Sequence, residues 1–99
     1  MDAAGAITVI ARWQALPGRA DSVLALVAAL REQSLAEAGC LAYEVFRGAD
    51  DDDDAILLLE RYRDHPAIEA HRATRHYREL LVERILPLLA SRQVELLRA

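Results

Sequence analysis

The segment AILLLERY, residues 55–62, is the strongest constraint on what this chain can become. A short apolar run bounded by turn-forming residues reads as a strand, and successive strand residues face opposite sides of a sheet. Ile56 and Leu58 then point one way and Leu57 and Leu59 the other, so both sides need cover. The run ITVIARW, residues 7–13, has the same character, with Ile7, Val9, Ala11 and Trp13 opposing Thr8, Ile10 and Arg12. One layer of helices covers one side of such a sheet. The simplest cover for the other side is a second copy packed sheet against sheet, which predicts a two-fold homodimer.

The rest of the chain supplies the helices. Asp21 or a neighbour is placed to cap a helix carrying Val23, Leu26, Val27 and Leu30 at helical spacing, and Gly39 is a natural stop. LAYEVFR, residues 41–47, reads as a strand that forms a hairpin with residues 55–62 across the turn at 48–54. Pro66, with Asp64 as cap, opens a short helix through Arg72. Thr74 can cap a further helix that turns Tyr77, Leu80, Leu81, Ile85 and Leu88 inward, with Pro87 expected to kink or end its last turn. QVELLR, residues 93–98, is a last strand expected to help bridge the two subunits. The order β-α-β-β-α-α-β fits a ferredoxin-like α+β sandwich. Ninety-nine residues make one domain, with residues 1–6 a flexible N-terminus.

Charge and residue usage exclude much chemistry. All 12 basic residues are arginine, so lysine Schiff bases, lysine general bases and a Walker-type phosphate lysine are absent. A net charge of -4 argues against nucleic acid as a partner. Gly5, Gly18, Gly39 and Gly48 are too scattered for a G-x-G-x-x-G dinucleotide or flavin loop. The longest apolar run, residues 23–30, is too short to span a bilayer and the N-terminal residues lack a basic signal region, which together predict a cytoplasmic protein without membrane association. The lone cysteine, Cys40, forms no internal disulfide and is expected to be a small buried residue.

Few residues are left to carry chemistry. The acidic run at 50–54 is not a calcium loop, because positions six and twelve counted from Asp50 are Ala55 and Arg61 in place of Gly and Glu. It reads as a solvated turn. His71 follows Ile68 by three residues, which leans it to the buried side as a general-base candidate. His76 lies beyond a helix break at Thr74, and His65, in a turn, is expected to be exposed. Glu60 faces inward and must be hydrogen-bonded, paired with an arginine, or poised for chemistry. Glu60 with His71 and His76 could formally make a metal triad, but the spacing matches no established ligand pattern, so no metal and no organic cofactor is expected. Trp13, Tyr43, Tyr62 and Tyr77 are either core aromatics or the lining of a flat pocket for a small aromatic molecule.

In succession, ITVIARWQALPG, AEAGCLAYEVFR and LLLERYRDHPAIEAHRATRHY resemble the antibiotic biosynthesis monooxygenase family, in particular its small quinol-monooxygenase branch. The likeness runs from Ile7 to about Leu97 and is most specific at Glu60-Arg-Tyr62 and at Ala70-His71-x-x-Thr74-x-His76-Tyr77. It implies a dimeric α+β barrel that oxidises dihydroxy-aromatic or anthrone-like compounds with O₂ and no cofactor. His71 would be the base, His76 or an arginine the anion partner, and Tyr62 and Trp13 the walls. The family frequently has Trp where Tyr62 stands. The haem-degrading branch's Asn, Trp and His are replaced here by Ala11, His71 and Leu81. The same scaffold also hosts isomerases of small phosphorylated signals, which Arg72 and Arg75 would suit, and dimers that bind a ligand without turnover.

Overall fold

The computed structural model describes residues 5–98. Strand β1 (Ile7–Ala15) leads through Pro17 and Gly18 to helix α1 (Ala20–Leu35), then to strands β2 (Cys40–Arg47) and β3 (Ala55–Tyr62). Helix α2 (His65–Arg72), a π-helical segment α3 (Tyr77–Ile85), a 3-10 turn (Leu86–Leu88) and strand β4 (Leu89–Arg98) complete the chain. The sheet has the order β2-β3-β1-β4 and every neighbouring pair is antiparallel. This is the expected ferredoxin-like α+β fold.

The alternation read from the sequence is the alternation observed. Ile7, Val9, Ala11, Trp13 and Ala15 of β1, with Ile56, Leu58, Glu60 and Tyr62 of β3, are all buried. They form one core with Val23, Val27 and Leu30 of α1, Ile68 of α2 and Leu81 and Ile85 of α3. The other face carries Ile10 opposite Leu59 and Phe46 opposite Leu57. Phe46 and, on β4, Leu97 remain 50% and 46% exposed.

Several local expectations shift. Helix α1 begins at Ala20 without a side-chain cap; Asp21 lies inside its first turn and pairs with Arg47 at 2.8 Å. The helix also stops at Leu35, before Gly39. Gly39 has another reason to be glycine: a Cβ there would fall under 3.0 Å from the Cβ of Ala67 on α2. Asp64 does cap α2, accepting from the Ala67 backbone N–H at 2.9 Å. Strand β4 starts four residues earlier than its apolar pattern indicates, because Arg92 and Ser91 continue the pairing onto Trp13 and Gln14, and Leu89 pairs with Ala15 across a register shift at Gln14/Ala15. Residues 1–4 of the expected flexible N-terminus lie outside the described residues, whereas Ala6 is buried.

Candidate functional site

The loop between α1 and β2 carries the residue that organises the site. Glu37 is held there by its own backbone: its N–H donates to Ser34 O at 3.0 Å and its carbonyl accepts from Cys40 N–H at 3.1 Å. The close approach of Gly39 to Ala67 seats this loop on α2. One helical turn beyond Ala67, on the same side of α2, is His71. Its Nδ1 lies 2.9 Å from Glu37 Oε2 and 3.2 Å from Oε1. His76 Nε2 meets the same Oε2 at 2.6 Å. One carboxylate thus gathers both histidines that the sequence singles out.

His71 is 4% exposed and lies between two tyrosine rings, 5.1 Å from Tyr62 and 5.2 Å from Tyr77 between centroids. With Nδ1 turned to Glu37, Nε2 makes no hydrogen bond among the described residues. The ring lines a cavity between the sheet and the helices that also touches Trp13, Tyr43, Glu60, Tyr62 and Tyr77. These are the sequence-selected site residues except His76, which stands behind His71. The cavity holds about 30 Å³, the space of a single water molecule. Arg92 and Val94 of β4 form part of its wall.

Glu60 is 7% exposed and accepts a hydrogen bond from Tyr62 OH at 2.5 Å. Burial pushes its carboxyl above the ordinary range, against the opposing pull of the Tyr62 hydrogen bond, His71, Arg72 and Arg92. Its direct partner is therefore a phenol, where an arginine was the simpler expectation. The Tyr62 and Tyr43 hydroxyls are both pushed strongly upward, first by burial and then by the Glu60 charge, so they remain protonated donors. Trp13 Nε1 is buried without a hydrogen-bond partner among the described residues. Trp13 lines the cavity as well, so this unused donor belongs to a cavity-lining residue.

The remaining candidates stand apart from the cavity. Cys40 is buried, its thiol pushed up to about 11, mostly by burial and next by Glu37, as suits a packing residue and not a nucleophile. His65 is exposed at the start of α2. Residues 50–53 of the acidic run are exposed, and the turn is closed by Gly48 N–H to Ala55 O at 2.9 Å. A larger groove of about 450 Å³ lies at the edge of the uncovered sheet face, against Arg12, Trp13, Phe46 and Leu57, and contains no His or Glu. No described helix is long and apolar enough to cross a membrane.

Glu37 was the residue missed. Its only sequence signal was an acid two positions before Gly-Cys in a loop, and nothing local ties it to a histidine 34 residues later.

The family model described as antibiotic biosynthesis monooxygenase matches residues 6–81. The Mycobacterium tuberculosis protein named "Putative monooxygenase Rv0793" is 35% identical over 71 residues, which cover 72% of this chain and 68% of that protein. Its solved structure superposes with a TM-score of 0.86 at 30% identity, covering 95% of this chain and 94% of the other. PA3566 from Pseudomonas aeruginosa gives a TM-score of 0.89 at 29% identity over 100% and 98% of the two chains. A crystal structure described as an antibiotic biosynthesis monooxygenase gives 0.85 at 32% identity over 94% and 97%.

Proposed function

The chain belongs to the antibiotic biosynthesis monooxygenase family, and from that premise we propose that it is a cofactor-independent monooxygenase acting on a dihydroxy-aromatic or anthrone-like substrate. The observation that carries this reading is the Glu37–His71 hydrogen bond at 2.9 Å, with the far side of the His71 ring on the aromatic-lined cavity. A carboxylate that accepts from Nδ1–H sets the tautomer and leaves Nε2 as a base. Placed on the cavity side, that nitrogen is positioned to take a proton from a phenol or an activated methylene.

Such a substrate supplies all the electrons. Once deprotonated it is rich enough to pass one electron to O₂, and the resulting radical and superoxide combine to a hydroperoxide. Loss of water from it leaves a new carbonyl: an anthrone CH₂ plus O₂ gives C=O plus H₂O, and a hydroquinone plus O₂ gives a hydroxyquinone plus H₂O. The protein's task is to bind, deprotonate and keep water out. Trp13 Nε1–H and the Tyr43 hydroxyl are donors for the substrate's oxygens.

Two further features belong to this reading. An aromatic ring enters the cavity only if the wall made by Arg92 and Val94, on the exposed strand β4, moves outward. The sheet face bearing Ile10, Leu57, Leu59, Phe46 and Leu97 is the surface for a second copy, giving a homodimer in the cytoplasm. Oxygen uptake with a panel of quinols and anthrones, against uncatalysed autoxidation, tests the function. Uptake no faster than autoxidation across the panel would remove it, and oxygen-independent turnover of a phosphorylated sugar-like compound would replace it with an isomerase.

A further inference from the structure

Glu37, His71 and His76, from three different segments of the chain, each offer one ligand atom within 4.8 Å of the other two. We propose that these three residues form a binding site for one divalent transition-metal ion of the Zn²⁺, Co²⁺ or Fe²⁺ kind. Two imidazoles and a carboxylate are the ligand types such ions prefer, and three protein ligands leave positions open for water. Ligand atoms about 2.0–2.2 Å from a tetrahedral or octahedral ion stand roughly 3.0–3.4 Å apart. The two hydrogen-bonded separations, 2.9 and 2.6 Å, are therefore a few tenths of an ångström to under 1 Å too short. Glu37 is the part able to yield. It sits on a loop, its side chain is 16% exposed, and it borders a surface groove of about 250 Å³ that offers an entry path and room for water ligands. The histidines are the rigid part: His71 is clamped between Tyr62 and Tyr77, and His76 follows Thr74, whose hydroxyl is bonded to His71 O at 2.7 Å and accepts from Tyr77 N–H at 3.1 Å.

The site is distinct from the cavity that takes the substrate, because the metal would sit on the Glu37 side of the His71 ring. Metal on Nδ1 forces the imidazole proton onto Nε2. His71 then faces the cavity as a donor and not as a base, so the ion would inhibit oxidation. That consequence rests on the oxidative reading; the binding itself does not.

The test is titration of the intact protein with CoCl₂ in a non-coordinating buffer, followed by visible absorption and calorimetry. One equivalent of Co²⁺ is expected to bind with d–d bands between about 500 and 650 nm, and Zn²⁺ is expected to bleach them by displacement, as an ion of the same ligand preference. His76→Ala should weaken binding by at least the ~10–100-fold that loss of even an outer-shell partner costs, and Glu37→Gln likewise. His65→Ala, at the surface, should bind as the parent does, and circular dichroism of each variant checks that it is folded. Absence of a saturable signal up to about 1 mM Co²⁺ would overturn the proposal, as would binding that survives both His76→Ala and Glu37→Gln, which would place the ion elsewhere, for example on the acidic turn.

Discussion

Gly39 and Ala67 touch so closely that a side chain on the glycine would overlap the alanine methyl. This contact joins the α1–β2 loop to α2 and sets Glu37 over His71, one turn further along the helix. Gly39→Ala should therefore cost about 1–3 kcal/mol, the usual range for forced overpacking, read from chemical denaturation midpoints. Adding Ala67→Gly should recover part of that loss although glycine alone weakens a helix. Strictly additive penalties in the double variant would show that the contact does not hold the loop in place.

His71→Gln separates the proposed base from a structural histidine. Turnover should drop by roughly 10²–10⁴-fold, the contribution of positioned proton transfer, with little change in melting temperature. If His71 served only the fold, its loss would cost about 1–3 kcal/mol and leave turnover per folded molecule intact. A destabilised but fully active variant would end the general-base role.

Trp13→Phe keeps an aromatic ring and deletes an N–H that has no partner among the described residues. A donor used only by substrate should show itself in binding: KM is expected to rise about 2–13-fold, equivalent to one ordinary hydrogen bond, while stability does not fall for want of a lost contact. An unchanged KM with several substrates would remove Trp13 from the binding wall.

Glu60 links stability to pH with a definite sign. Burial raises its folded-state carboxyl above the ordinary 4.5, so the folded chain holds this proton more tightly than the unfolded chain does. Its contribution is fully present below about pH 4.5 and is lost as pH rises through the raised value. Melting temperature measured across that window should decline for the parent relative to Glu60→Gln, which cannot ionise. Parallel curves for the two proteins would mean that Glu60 does not titrate abnormally.

Leu57→Asp places a charge on the uncovered sheet face, where Leu57 lies opposite Phe46 and Arg12. Sedimentation should find the parent dimeric at micromolar concentration and the variant shifted to monomer, with association weakened by at least ~10-fold, since taking a charge out of water costs more than the 1.4 kcal/mol that factor represents. A parent protein that sediments as a stable monomer would exclude the sheet-to-sheet dimer.

The sequence by itself determined the faces of the sheet. Period-two alternation is local, so Ile7, Val9, Ala11 and Trp13 had to share a side whatever the rest of the chain did, and Glu60 and Tyr62 had to share one. Asp64 as a cap was equally local, a side chain reaching a backbone N–H three residues on. Only tertiary structure decided the site. Glu37 acquires its role from a loop packed across a glycine onto another helix, and no periodicity connects it to His71 or His76. The bounds of β4 follow the same rule: residues 89–92 are a strand because β1 offers them backbone partners, not because their side chains alternate. In α3 the π-helical turns, with bonds to the fifth residue, override the 3.6-residue spacing. Leu81 and Ile85 are buried as that spacing expects, whereas Tyr77 and Leu80, and Leu88 in the 3-10 turn that follows, are only partly covered. Contacts between distant segments depend on how elements dock, and docking is set by the shape of whole faces, which no short stretch of sequence contains.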